Sequence, residues 1–438
     1  MKKSIAFIIG LLFVLSFAAT AFAIHAEIPS DTTALVAAGT TQITLSGDLR
    51  VRGWFKDNMT NGGKPTKNDQ VAYYDERVRL AIDAASGPVS GRIHLESNTG
   101  ANDGWKWGQD GTGALGGSYD AKPTSMGILE AWINYAGSGL LGVPAGIKLG
   151  HMPLALGPAP LFFDHRKFGD DALVVYTNPT PNTHVTLLTV KGIEDSPATA
   201  HNGNDADAYV AVFNGEFAGQ ELGVDYTLVN DPSGNYIGVH SDLQDLGIFG
   251  KGNVAGLNYT AEGDFQFGKV SPTADASGYG LWLGLGYKLA PVNIRAMVAY
   301  GSGNDGSDPT KQKALITALS ADRRYTLVYE YQVVTAAGAT HTGISNTEVI
   351  NAGVDFAPTA ALKVSLNGYY LRANKTAAGI SKDLGTEVDF NTTYKLTKNL
   401  TYFFNAGVLT KGSFYKDTYG TTADTSPAVI MHGLEMAF

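Results

Sequence analysis

The sequence predicts an all-β protein, a transmembrane antiparallel β-barrel with an even number of strands, roughly 16 to 20 with 18 favoured. Three observations predict it. Apolar and polar residues alternate with period 2 from Gln42 to the last residue. Many alternating segments run to about 9 to 13 residues, longer than globular strands and suited to a tilted strand crossing hydrocarbon. Short turns also alternate with long polar loops along the chain, the end-to-end asymmetry of barrels that span a membrane.

The N-terminus has Lys2 and Lys3, an apolar run, and the small-x-small pattern "AFA" at Ala21 to Ala23. This reads as a secretory signal peptide over residues 1–23, cleaved after Ala23, with "IHA" as a weaker second site. The apolar core is short for an uncleaved anchor. Cleavage leaves 415 of 438 residues and moves the formal charge from −9 to −11 by removing Lys2 and Lys3. An acidic chain argues against nucleic acid as a partner. With no cysteine, there is neither a disulfide framework nor a cysteine metal site. No apolar run reaches 18 residues after the leader, so helical spans are not expected. High Gly, Tyr and Phe (53, 21 and 19 residues) leave a secreted sandwich or solenoid, or an outer-membrane barrel. Residues 24–41 show no clear strand and read as a periplasmic lead into one barrel over 42–438.

The first strand is "QITLSGDLRVRGWF". Ile43, Leu45, Leu49, Val51 and Phe55 share one face, and Asp48, Arg50 and Arg52 share the other. In "ERVRLAIDA", Val78, Leu80 and Ile82 oppose Arg77, Arg79 and Asp83. In "GRIHLES", Ile93 and Leu95 oppose Arg92, His94 and Glu96. In "ILEAWINY", Leu129, Ala131, Ile133 and Tyr135 oppose Glu130, Trp132 and Asn134. The pattern returns in "GLWLGLGYKL" from Gly280, "RYTLVYEYQVV" from Arg324, "ALKVSLNGYYLRA" from Ala361 and "LTYFFNAGVL" from Leu400; segments near Ile147 and Ala314 are weak. Adjacent aromatics such as Trp54 with Phe55, Tyr73 with Tyr74, and Tyr369 with Tyr370 fit interfacial girdles. Short turns fall at "SGPVS", "LAP", "APTA" and "LTKN". Long polar stretches include "KDNMTNGGKPTKNDQ", Gly100 to Met126, "GSGNDGSDPT" and "KGSFYKDTYGTTADTSP".

Five of the ten arginines, Arg50, Arg52, Arg77, Arg79 and Arg92, lie between positions 50 and 92. In lipid the sheet must close to satisfy its backbone. An outward arginine costs roughly 2–4 kcal/mol near the midplane, so all five are expected to project into the lumen. Asp48, Asp83, Glu96 and Glu130 share that face. The arginines set selectivity, or pair with Asp48, Asp75, Asp83 and Glu96 to brace the wall, and the two readings overlap because a bracing network also lines the lumen.

The chain ends "GLEMAF", with Ile430, Leu434, Met436 and Phe438 at every second position. Here it resembles the Gram-negative outer-membrane porins, general-diffusion β-barrel channels. The resemblance covers the overall plan, the clustered arginines and the terminal strand; His432 on the apolar face departs from it. It implies that Leu434, Met436 and Phe438 are an assembly signal read by the barrel-assembly machinery. It also implies surroundings of outer-membrane lipid and lipopolysaccharide, small hydrophilic solutes and ions as cargo, and a homotrimer as a candidate assembly. In that family an arginine cluster faces acidic residues on a loop folded into the lumen. The third long loop, residues 151–171, is the corresponding candidate, with Asp164, Arg166, Lys167, Asp170 and Asp171 in its second half and an apolar, Pro-rich first half.

Acidic Gly-rich pieces at 101, 202 and 301 lack the spacing of calcium loops, and nine histidines show no metal-ligand spacing, so no metal or cofactor is expected. No GxSxG motif is present and no enzyme is expected. The expected function is passive diffusion through an arginine-lined lumen. The alternatives are a substrate-selective channel for carboxylates or oligosaccharides, and a sheath around an electron-transfer protein.

Overall fold

The computed structural model describes residues 35–38, 41–58, 70–97, 105–107, 126–137, 142–166, 169–194, 205–234, 236–238, 241–317, 319, 325–339, 341–420 and 426–438. The leader, its cleavage site at Ala23 and Lys167 lie outside them.

The strands are β1 (Leu35–Ala38), β2 (Thr41–Asp57), β3 (Val71–Ser86), β4 (Val89–Ser97), β5 (Trp105–Trp107), β6 (Met126–Gly137) and β7 (Ala145–Met152). They continue through β8 (Asp170–Thr180), β9 (Thr183–Ile193), β10 (Ala206–Phe217), β11 (Gln220–Asp231), β12 (Ser241–Val254), β13 (Leu257–Ser271) and β14 (Ala274–Ala276). The last are β15 (Tyr279–Leu289), β16 (Val292–Gly301), β17 (Lys311–Gln312), β18 (Thr347–Phe356), β19 (Leu362–Ala373), β20 (Asp383–Lys395), β21 (Leu400–Lys411) and β22 (Ala428–Ala437). Among the described residues two short helices, α1 (Tyr329–Gln332) and α2 (Ser413–Tyr419), lie in loops.

Eighteen strands form a closed antiparallel barrel; β1, β5, β14 and β17 are short additions at its ends. Closure runs between first and last barrel strands, with Leu49 opposite Met436 and Arg50 opposite Glu435. Phe438 completes the seam: Gly47 N–H donates to its carbonyl at 2.8 Å, and its own N–H donates to Gly47 O at 3.0 Å. The predicted short turns at Gly87, Ala290, Ala357 and Leu396 lie at one end, and the long loops at the other. In outer-membrane barrels these ends are periplasmic and extracellular respectively.

The outer wall is apolar. Ile133, Leu149 and Ile350 are 67%, 59% and 58% exposed, which for aliphatic side chains at strand centres identifies a surface made for lipid rather than water. Aromatic neighbours split by strand alternation: Phe55, Tyr74 and Tyr370 face out, whereas Trp54, Tyr73 and Tyr369 join the inner packing.

Three segments differ from expectation. Leu35–Ala38 in the lead is a strand, paired with Thr41–Thr44 where β22 no longer covers that edge of β2. The weak segment at Ile147 is barrel strand β7, whereas Ala314 lies in a loop. The run from Arg324 is not a barrel strand. Among its described residues, Val328, Tyr329 and Glu330 are all fully buried, so this stretch has no lipid-facing side; it folds into the barrel between β16 and β18. In the long polar stretch from Lys411, the described residues Phe414 and Tyr415 of α2 are likewise buried, and Tyr415 Oη donates to Val334 O at 3.1 Å.

Candidate functional site: the lumen and its inward loops

The β2–β3 register sets Asp48 opposite Arg79, Arg50 opposite Arg77 and Arg52 opposite Asp75, all on the lumenal face. Arg52 holds Asp75 with two bonds, Nε to Oδ1 at 2.7 Å and Nη2 to Oδ2 at 2.9 Å, and Trp54 Nε1 donates to the same carboxylate at 2.8 Å. Arg77 Nη2 lies 2.6 Å from Asp48 Oδ1 and 3.8 Å from Glu435 Oε1. Arg79 Nε donates to Glu96. Arg92 donates to Asp83 at 2.7 and 3.1 Å and reaches Glu130 at 3.3 Å. Glu130 also accepts from Trp132 Nε1 at 2.9 Å and sits 3.0 Å from His94 Nδ1. Lys148 Nζ lies 3.8 Å from the centre of the Trp132 ring.

Four of the five arginines thus have carboxylate partners. Arg50 does not: among the described residues it has no ion pair, and its Nε is buried without a hydrogen-bond partner. It stands beside Arg77 across the strand pair and two residues from Arg52 on the same face.

The third long loop enters the barrel. Ala159, Leu161, Phe162 and Phe163 are nearly fully buried, as the apolar first half requires. Its anchor is Glu262 on β13, which accepts the backbone N–H of Ala159 at 2.6 Å and of Leu161 at 3.0 Å. In its second half, buried Asp164 accepts two bonds from Arg166, both at 2.6 Å, while the Arg166 side chain stays 60% exposed. Asp170 is buried and sits 2.8 Å from His165 Nδ1. Asp171 departs from the expected lumenal set. One residue further along β8, it points to the opposite face, 74% exposed and 2.9 Å from His151 Nδ1.

A second segment, residues 302–346, packs against the first; Asp164 N–H donates to Leu319 O at 2.6 Å, and Leu161 packs in one cluster with Leu315 and Ile344. Its anchors are acids on β20. Glu387 accepts the N–H groups of Val328 at 2.6 Å and Tyr329 at 2.8 Å, and Asp389 accepts that of Leu327 at 3.0 Å. These are the orphan donors at the start of α1, the end at which carboxylates are favoured. Burial pushes the Tyr329 phenol well above its ordinary pKa, so it stays protonated; its oxygen accepts the Ala336 N–H at 3.0 Å.

About half-way round the barrel from the arginines, β11, β12 and β13 carry Asp225, Asp245, Glu262 and Asp264 on the inner face. Sequence reasoning missed these acids. The alternation in "ELGVDYTL" and "DLQDLGIF" carried the signal, but without the strand order nothing sets those acids opposite the arginines.

The backbone superposes on solved outer-membrane channels over most of its length. Pseudomonas aeruginosa OccK2 (OpdF) in complex with glucuronate aligns with a TM-score of 0.56 at 10% identity, covering 90% of this chain and 98% of that one. Pseudomonas aeruginosa OpdK with vanillate aligns at 0.54 with the same identity and coverages, as does Acinetobacter baumannii OccAB2. The chain has the fold of an outer-membrane porin. A family model described as alginate export matches residues 226–429 of this chain. No curated protein sequence matches it. The fold presents an apolar outer wall and a polar inner face, as outer-membrane barrels do.

Proposed function

We propose that this porin is a passive channel for small hydrophilic solutes that favours anions, carboxylates among them, and that Arg50 is the charge that favours them. The carrying observation is the unpaired Arg50 guanidinium between Arg52 and Arg77, whose own charges are met by Asp75 and Asp48. A solute carboxylate passing there is attracted by a guanidinium charge held in no ion pair, although Glu435 stands opposite it across the seam. The structures with glucuronate and vanillate concern other proteins, yet both solutes are carboxylates, and the family model is described as alginate export. Arg52, Arg77, Arg79 and Arg92 brace the wall in this reading, with Asp48, Asp83, Glu96 and Glu130 as their counter-charges. Asp164, Arg166 and Asp170 belong to the loop that narrows the mouth. A sheath around a folded partner is disfavoured, because two inward segments occupy the space that partner needs.

The test is reversal potential in a KCl gradient across a planar bilayer, for wild type and Arg50→Ala. Anion preference falls in the variant if the reading holds. Unchanged preference in a conducting Arg50→Ala channel removes Arg50 from selectivity, and correctly folded barrels that never conduct remove the channel.

A further inference from the structure

A pocket of about 410 Å³ opens on the lumen beneath Pro158 and Ala159, on the short-turn side of the third long loop. That volume lies in the range of small-molecule sites, roughly 300–1,000 Å³. The walls come from β13, β15, β16 and β18, and neither the arginine cluster nor the loop anchors account for them. Asn258, Thr260, Asn293, Arg295 and Asn351 supply its polar lining, and Trp282, which also packs edge-to-face against Tyr325 at 6.4 Å, is its aromatic on the inner face of β15.

The charges in this pocket are already met. Among the described residues no carboxylate lines it, and Arg295 is its single cation. Arg295 Nε and Nη2 each donate to Asp355 at 2.9 Å, and Nη2 also donates to Asn367 Oδ1 at 2.9 Å. What remains is amide and hydroxyl. Asn293 Nδ2 donates to Asp355 at 3.1 Å and Asn351 Nδ2 to Gly368 O at 3.1 Å, which leaves both amide oxygens as acceptors. The Thr260 hydroxyl has no hydrogen bond among the described residues. Side-by-side donors and acceptors without net charge match hydroxyl groups, which do both.

The floor is open by composition. At Gly284 an added Cβ would meet nothing nearer than Trp282 Nε1 at 3.5 Å, and at Gly286 nothing nearer than 3.9 Å. Packing does not require glycine at either position. Their missing side chains leave a flat strip along β15 beside the indole, where a ring with apolar C–H faces fits.

We propose that this pocket binds one neutral pyranose ring of a mono- or oligosaccharide in transit, with Trp282 as its platform and Thr260, Asn293 and Asn351 as its hydroxyl partners. This deepens the channel reading by naming a second solute class, and rests on it only for how the sugar reaches the site.

The experiment is saturation-transfer NMR on the folded barrel in detergent, with methyl α-glucopyranoside and glucuronate as probes. Wild type transfers saturation to the glucoside ring protons, and more weakly to glucuronate. Trp282→Ala weakens glucoside binding about tenfold. Gly286→Leu, which fills free space and keeps the barrel heat-modifiable on a gel, abolishes it; Arg50→Ala leaves it unchanged. No glucoside signal on wild type, a signal surviving both pocket variants, or glucuronate binding as well as glucoside with the same dependence on Trp282 overturns the proposal. Because this readout needs no conduction, the sugar site can fail while the Arg50 channel stands, and the reverse.

Discussion

Glu262 Oε2 accepts the backbone N–H of Ala159 at 2.6 Å, a bond between residues 103 apart in sequence. A wall strand thereby holds the third long loop inside the barrel. Gly157 makes the approach possible: it takes a φ of +71°, and a Cβ there would run into the Glu262 carboxylate.

Glu262→Ala removes the acceptor for two N–H groups, each bond to a charged group contributing about 1.5–3 kcal/mol. The loop is then held only by its apolar residues. Single-channel conductance of Glu262→Ala is expected to rise above wild type, with more frequent transitions between levels. Conductance and noise equal to wild type would mean that Phe162, Phe163 and Leu161 hold the loop without the carboxylate.

Asp75 is the most deeply buried acid of the arginine wall. It is 2% exposed and accepts from Arg52 twice and from Trp54 once. Asp75→Ala leaves a buried guanidinium and an indole N–H without their acceptor, and breaking a buried pair this way costs about 3–5 kcal/mol. Urea unfolding of the barrel in lipid vesicles is expected to shift to lower denaturant for Asp75→Ala. Arg50→Ala, which breaks no ion pair, should unfold near wild type. Equal midpoints for all three proteins would remove the bracing role.

The barrel itself was legible because lipid on one side and water on the other force a strict period of 2. That rule alone placed Arg50, Arg52, Arg77, Arg79 and Arg92 on one face. It also explains the misreading of "RYTLVYEYQVV". This run alternates as a strand does, yet within it Val328, Tyr329 and Val333 are buried inside the lumen, where both sides meet protein. Pairing was less legible than facing. Asp75 was foreseen only as one of several acids near the arginines, whereas the register binds it to Arg52 and leaves Arg50 alone. Asp171 was misplaced because the first residues of a strand cannot be told from the last of a loop before the register is known. The anchors Glu262 and Glu387 read as ordinary inward acids, since their partners are backbone N–H groups that no sequence pattern marks.

Glu387 fastens the second inward segment as Glu262 fastens the first. It is fully buried and takes two N–H bonds at the start of α1. Glu387→Ala is expected to loosen residues 325–339 without opening the barrel. Limited proteolysis of the folded protein from the long-loop side should then cut this segment several-fold faster than in wild type, with heat-modifiability retained. An unchanged cleavage rate would show that the packing of Tyr329 against its neighbours suffices.

The seam offers the sharpest separation of packing from signalling. The Phe438 ring lies over Gly47, where an added Cβ would come within 2.7 Å of it, so the terminal aromatic covers a glycine on the neighbouring strand. Gly47→Val keeps the terminal residue but pushes its ring away and also crowds the Arg79 carbonyl on β3, which adds to its loss of stability; Phe438→Ala removes the ring and leaves the backbone pair with Gly47. If Phe438 acts in assembly through its identity as the last aromatic, Phe438→Ala lowers the yield of folded barrel in cells while Gly47→Val assembles well and melts earlier. If its role is only to cover Gly47, both variants melt earlier and assemble alike. Folded yield in outer-membrane fractions, read beside the melting of the purified barrels, separates the two.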